Sequence, residues 1–215
     1  MNYSTSFAAT ENPINESGNW LNGLADGDDW ADVRTTSGRA IGTQDGTGGF
    51  DDSTAILTGT WGADQEAQGA AYINNPAGFA EVEIRLRSVI SAGVNRGYEI
   101  LFAWDGAYAN IVRWNGPFGD FTVLNVTEFN GGAVALTTGD IVKATIVGGF
   151  MSAYVNDVLY MTVTDTTWSN GTPGIGFYND GSSNDDFGFT DFSATDGVIE
   201  DAPETIWVVR SPAGW

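Results

Sequence analysis

The 215-residue chain contains no histidine and no cysteine, and each absence removes a chemistry. Without cysteine there are neither disulfides nor thiolate metal sites. Without histidine there is no imidazole-ligated zinc and no imidazole acid–base catalysis. Positive charge is also scarce: eight Lys and Arg stand against 28 Asp and Glu, the formal charge is −20, and Lys143 is the lone lysine. Nucleic acids and anionic membrane surfaces select for basic side chains, so neither is an expected partner. No apolar run is long enough to insert into a membrane, and no window repeats at 3.6 residues, so no helix of length is expected.

Glycine and apolar residues are abundant. Hydrophobic residues make up 42% and aromatics 13% of the chain, enough for one core, and 29 glycines imply many turns. A single domain is therefore expected. The carboxylate excess reads first as a solubility device or an adaptation to salty surroundings. It leaves neutral glycans, cations and other proteins as partners.

The stretch from Gly139 to Asp196 is the most informative. Gly139-Asp140 opens an alternating segment, Ile141 to Val147, and Gly148-Gly149 turns it into Phe150 to Val155. Asn156-Asp157 then leads into Val158 to Val163; Asn and Asp tolerate the left-handed backbone that such a hairpin needs. Pro173-Gly174-Ile175-Gly176-Phe177-Tyr178 follows, then Asp186-Phe187-Gly188-Phe189-Thr190-Asp191-Phe192-Ser193. This succession resembles the C-terminal half of concanavalin A-like, laminin G-like jelly-roll domains, where it recurs as the back of the sandwich. The resemblance implies an all-β jelly-roll β-sandwich of two antiparallel sheets over residues 1–196. Residues 197–215 would then be a linker and an extra strand.

Upstream, Phe7, Trp20 and Trp30 are expected anchors in a loop-rich start; Asn12-Pro13-Ile14 to Asn19-Trp20 resembles the opening of phage and bacterial jelly-roll domains, which implies a short first strand pairing with the last. Arg39 to Gly42, Ser53 to Leu57 and Gly69 to Ile73 read as strands. Ala80 to Ser88 alternates, with Val82, Ile84 and Leu86 on one face and Glu81, Glu83, Arg85 and Arg87 on the other. Gly97 to Trp104, Ala109 to Trp114 and Phe121 to Val126 would join it in the concave sheet that the resemblance implies.

Several constellations could carry chemistry. Glu81 and Glu83 point the same way, as paired catalytic carboxylates must. The laminarinase branch of the similar fold carries E-x-D-x-x-E, whereas Glu81-Val82-Glu83-Ile84-Arg85-Leu86 lacks the central aspartate and the third carboxylate. A charge-compensated ladder is the better reading. Polysaccharide lyases of similar fold combine a strand arginine, a Gln-x-His segment and a tyrosine; Arg85 and Tyr98 would supply two of these, but no Gln-x-His segment exists. Sugar binding asks for aromatic faces beside hydrogen-bonding groups. Tyr98, Trp104, Tyr108, Arg113 and Trp114, together with Arg85 and Arg87, are the candidate ligand-binding residues. Calcium, which takes oxygen ligands, is the metal the composition favours. Asp180, Asp185, Asp186 and Asp191, with Asn184, form one candidate site, and Asp26, Asp28 and Asp29 a second.

These readings converge on a non-catalytic glycan-binding or adhesion protein, such as a phage virion decoration protein. The alternatives are a carbohydrate-active enzyme or its accessory module, and a purely architectural virion protein. The expected partners are a polysaccharide or surface glycan, and other virion proteins or a second copy through Ile206, Trp207, Val208 and Val209. Met1 to Thr10 lacks the basic-then-apolar pattern of a signal peptide, so the expected location is a virion surface or another extracellular setting.

Overall fold

The computed structural model describes residues 1–24, 30–36, 38–46, 49, 52–126 and 135–197. In chain order its first eight strands are β1 (Asn2–Thr5), β2 (Trp20–Asn22), β3 (Val33–Thr36), β4 (Arg39–Gly42), β5 (Ser53–Leu57), β6 (Gln65–Ile73), β7 (Phe79–Ser91) and β8 (Val94–Ala103). The remainder are β9 (Ala109–Gly116), β10 (Phe121–Val126), β11 (Ile141–Val147), β12 (Phe150–Val155), β13 (Val158–Thr164), β14 (Thr172–Asp180) and β15 (Phe187–Thr195). Helix among the described residues is confined to two single 3₁₀ turns, at Glu16–Gly18 and Asn184–Asp186.

The strands pair antiparallel into two sheets. The front sheet runs β10-β9-β8-β7-β14-β5-β2, and the back sheet runs β13-β12-β11-β6-β15-β4-β3, with β1 paired to β15. The β12–β13 hairpin turns through Asn156 (φ 50°) and Asp157 (φ 63°), the left-handed pair expected there. One expectation is corrected. The segment around Pro173 to Tyr178 does not lie at the back with its sequence neighbours; β14 crosses to the front sheet between β7 and β5.

Alternation fixes which residues form the core. Val82, Ile84 and Leu86 of β7, Tyr98, Ile100 and Phe102 of β8, and Ile175 and Phe177 of β14 face inward. They meet Ala67 and Ala71 of β6, Val142, Ala144 and Ile146 of β11, and Phe187, Phe189 and Phe192 of β15. Each large apolar side chain buried this way contributes about 1.5–3 kcal/mol. Phe177 packs on Phe189 at 5.5 Å between ring centroids.

Two bulges break the alternation and redirect polar groups. In β15 the register shifts between Phe189 and Asp191, so both Phe189 and Phe192 point inward although they lie three apart. Asp191 stays outside, and its Oδ1 accepts from the Ala70 amide at 3.0 Å, taking up a donor at the bulge. In β7 the shift falls between Leu86 and Val89, and Arg87 adopts φ 47°. Arg87 therefore leaves the face of Glu81, Glu83 and Arg85, which corrects the four-residue ladder expected from the sequence. Its Nε donates to the Ala63 carbonyl and its Nη1 to the Trp168 carbonyl instead.

The glycines of β14 also have a steric reason. A Cβ at Gly174 would lie 2.3 Å from the Ala55 carbonyl oxygen, and one at Gly176 would lie 2.1 Å from Glu83 Oε2 and 2.9 Å from Arg85 Nε. The Pro-Gly-x-Gly-Phe-Tyr run thus leaves room on the front sheet's outer face for the Glu83–Arg85 pair. Gly174→Ala is expected to destabilise the domain by about 1–3 kcal/mol, because the obstacle is backbone that cannot rotate away. Urea denaturation checks this, and an unchanged midpoint would refute the steric account.

Candidate functional site

The front sheet's outer face carries an ion cluster. Glu83 and Arg85 sit on β7, Glu99 on the neighbouring β8, and Asp52 just before β5; all are nearly inaccessible. Arg85 reaches Glu83 Oε2 at 2.5 Å through Nη2, Glu99 Oε2 at 2.8 Å through Nη1, and Asp52 Oδ2 at 3.5 Å. Trp30, from the connection between β2 and β3, closes over it: its ring lies 5.3 Å from the guanidinium carbon and meets Trp114 edge-on at 4.3 Å. Trp114 Nε1 donates to Glu99 Oε2 at 2.5 Å, tying this cover to the cluster.

Beside the cluster opens a cleft of about 210 Å³. Asp52, Glu81, Glu99 and Asn110 supply its polar lining, while Tyr108, Trp114, Phe121 and Tyr178 supply its rings. The rings form two walls. Phe79 stacks on Tyr108 at 5.3 Å and meets Tyr178 edge-on at 6.0 Å, while Trp114 packs against Phe121 at 5.1 Å on the β9–β10 side. The Tyr108 hydroxyl donates to Glu81 Oε1. Asn110 Oδ1 is shielded from solvent and has no hydrogen-bond partner among the described residues. A second hollow, of about 320 Å³, lies on the back sheet between β1, β6 and β15. It has one ring, Tyr3, whose hydroxyl is committed to Glu16, and is poorly equipped for recognition.

No protein-family model matches the sequence, and no curated protein matches it. Solved structures do resemble it. The carbohydrate-binding module CBM66 from Bacillus subtilis superposes with a TM-score of 0.54 at 13% identity, over 85% of this chain and 96% of its own. The VIP36 exoplasmic/lumenal domain in its Ca²⁺/Man3GlcNAc-bound form gives 0.54 at 13%, over 91% and 93%. β-Agarase A from Zobellia galactanivorans gives 0.56 at 8%, over 89% and 88%. The fold is the concanavalin A-like jelly roll. The structures it resembles thus include a carbohydrate-binding module, a Man3GlcNAc-bound domain and an agarase, and the likeness itself concerns the fold.

Within this jelly roll the ligand-binding residues expected from the sequence divide into two groups. Tyr108 and Trp114 line the cleft, and Arg85 lies beneath the cover that Trp114 helps form. The others lie elsewhere. Tyr98 faces the interior, with its hydroxyl 2.7 Å from Asp165 Oδ1, and Arg113 pairs with the other Asp165 oxygen at 2.5 Å. Trp104 packs on the core and donates to the Gly78 carbonyl, and Arg87 lies at the sandwich edge. Glu99, Asn110, Phe121 and Tyr178 were not singled out. Period-two alternation from Trp114 and Glu81 would have placed Phe121 and Tyr178, their direct cross-strand partners, on the same face.

The candidate calcium residues are engaged separately. Asp185 pairs with Arg34 at 3.0 Å, Asp186 accepts from Asn74 at 2.9 Å, Asp191 caps the bulge, and Asp180 is exposed at the end of β14. Asp26, Asp28 and Asp29 lie outside the described residues, as do Ile206, Trp207, Val208 and Val209. Among the described residues, the acidic group close enough to share an ion is Asp52, Glu83 and Glu99, whose oxygens lie within 4.8 Å of one another. The Arg85 guanidinium already bonds all three, so this triad does not offer calcium its usual six to eight oxygens while Arg85 is in place.

Burial governs the electrostatics. It pushes the Glu83 carboxyl well above its ordinary range, although Arg85 pulls the other way. Burial likewise raises Glu81 to about 8, against the Tyr108 hydrogen bond and the pull of Arg85 and with the repulsion of Glu99. Burial opposes the Arg85 charge, but Glu83, Glu99 and Asp52 more than compensate and hold it ionised.

Two predictions follow from this balance. Arg85→Met leaves buried carboxylates without their cation and is expected to cost about 3–5 kcal/mol. Millimolar calcium should restore part of that loss in the variant and add nothing to the native protein; a variant as stable as the parent in urea would contradict the role given to Arg85. The second concerns pH. A carboxyl whose folded-state pKa is raised binds more protons folded than unfolded, so its contribution is present below 4.5 and is lost as pH rises towards 8. The melting temperature should therefore fall across that window. Glu81→Gln should flatten the fall, and an identical slope in that variant would remove Glu81 as its cause.

Proposed function

We propose that the protein is a non-catalytic glycan-binding module that holds a saccharide in the front-sheet cleft. The observation that carries this reading is the pairing of two aromatic walls with an oxygen-rich floor in one cleft. Sugar rings present C–H faces that stack on aromatic side chains and hydroxyls that bond carboxylates and amides. The carbohydrate-binding and lectin structures of the same fold support the reading. We place the module outside cells, on a virion or as part of a secreted protein, where surface polysaccharides are met. A second copy or a virion protein joined through the C-terminal segment is part of the same proposal.

Catalysis is the weaker reading for a specific reason. Glycoside hydrolysis needs two carboxyl groups free to act on the scissile bond. Here Glu83 is wholly buried and bonded to Arg85, Glu99 is shared between Arg85 and Trp114, and Glu81 is tied to Tyr108. Calcium is likewise not required in this reading, because the acidic triad bonds an internal cation.

Binding to a panel of immobilised polysaccharides tests the proposal, with calcium and again with chelator. Retention should survive chelation without release of reducing ends. Phe121→Ala and Tyr178→Ala should each weaken binding about tenfold, the equivalent of about 1.4 kcal/mol of stacking, while Tyr98→Phe leaves it unchanged. Absence of binding across the panel, or loss only in Tyr98→Phe, would overturn the assignment of the cleft.

A further inference from the structure

We infer that the cleft is selective for glycans bearing free amino groups, such as oligomers of glucosamine, over their N-acetylated, neutral or acidic counterparts. This rests on the glycan-binding reading above and names the substrate class of that same site.

The argument begins with the polarity of the lining. Asp52, Glu81, Glu99 and Asn110 line the cleft, and its described lining includes neither Lys nor Arg. The one cation nearby, Arg85, is sealed beneath Trp30 and already bonded to carboxylates. Two donors on the walls are committed: the Tyr108 hydroxyl goes to Glu81, and Trp114 Nε1 goes to Glu99. A uronate or a sulfate would meet like charge at these carboxyls, and N-acetylation would remove the positive charge that they and the rings attract. An ammonium group has three donors and no acceptor, and so complements an acceptor-rich wall. Asn110 lines the cleft, and its Oδ1 has no hydrogen-bond partner among the described residues.

The rings act in the same direction. A cation beside the faces of Tyr108, Trp114, Phe121 or Tyr178 is attracted by their electron-rich π systems. The charge balance does so too, since an ammonium supplies the counter-charge that burial denies Glu81. Glu81 is held protonated up to about 8 by burial, eased by Tyr108 and Arg85 and reinforced by Glu99, so an ammonium beside it displaces a proton to solvent.

Isothermal calorimetry at pH 6–7 and moderate salt, where amino groups are protonated, provides the test. The titrants are a glucosamine hexamer, its N-acetylated form, a glucose hexamer and a polyuronate fragment, with hexalysine as a control for attraction to the acidic surface. The glucosamine oligomer is expected to bind about tenfold or more tighter than each of the others. Its binding should release protons, read from titrations in buffers of different ionisation enthalpy. It should weaken in Phe121→Ala and in Asn110→Leu, the latter removing the acceptor while circular dichroism confirms folding. Equal or tighter binding of the neutral or N-acetylated oligomer would overturn the selectivity and leave glycan binding standing. Hexalysine binding as tightly, with both variants unaffected, would reduce the effect to surface charge and overturn it. No saccharide binding at all would overturn the inference together with the reading beneath it.

Discussion

The front sheet is organised around one buried guanidinium. Arg85 is the cation that lets Glu83, Glu99 and Asp52 share a water-poor site, and those acids come from β7, β8 and the segment leading into β5. A charge taken out of water is tolerated only where opposite charge and hydrogen bonds replace its hydration. The side chains of three segments are therefore held in one arrangement, with Gly176 of β14 leaving room for it and Trp30 and Trp114 roofing it. Well-packed apolar residues could give equal stability, so the cluster is better understood as fixing geometry than as adding free energy. It is not fully satisfied internally: Glu83 Oε1 and Arg85 Nε have no partner among the described residues.

This arrangement contrasts with charge elsewhere in the chain. Lys143 with Asp157, and Arg34 with Asp185, are surface pairs in which at least one partner is well exposed, and such pairs contribute little. The chain places one of its few basic residues where burial makes it indispensable and leaves most carboxylates to water. A chain of −20 repels itself, and salt that screens this repulsion has little access to a sealed cluster. Surface and cluster thus respond to different variables: the surface to ionic strength, the cluster to proton concentration.

Much of the fold was legible in the sequence because it depends on local signals. Alternation in Ile141 to Val147 and Phe150 to Val155, and the left-handed tolerance of Asn156-Asp157, specify strands and a hairpin without long-range information. The expected strands Phe121 to Val126 and Ser53 to Leu57 were likewise found. Sheet membership was less legible. Nothing local distinguishes a β14 that stays at the back from one that crosses to the front, since both bury Ile175 and Phe177. The bulge at Arg87 was hidden for a related reason: an arginine at positive φ is held there by contacts with Ala63 and Trp168, distant in sequence. The candidate site was legible only in part. Tyr108 and Trp114 could be named and do line the cleft, but Tyr98 has the same composition and strand context and points inward because Leu86, its cross-strand partner, does. Neighbours on a sheet face, not residue type, decide the matter.

The same neighbour logic bears on the proposed role of the cleft in recognition. A binding wall benefits from side chains already held in place, because less conformational entropy is lost when ligand arrives. Glu81 held by Tyr108, Glu99 held by Arg85 and Trp114, and Tyr108 and Tyr178 braced through Phe79 are all in that condition. A catalytic carboxyl faces a different demand, since it must exchange a proton with the substrate and then with water. Bonds that fix Glu83 to Arg85 beneath the surface oppose that exchange as effectively as they preorganise the wall above it. Arg85, set among acids on this strand, therefore bears on the whole site: it makes Glu83 and Glu99 a fixed support for the rings and oxygens above.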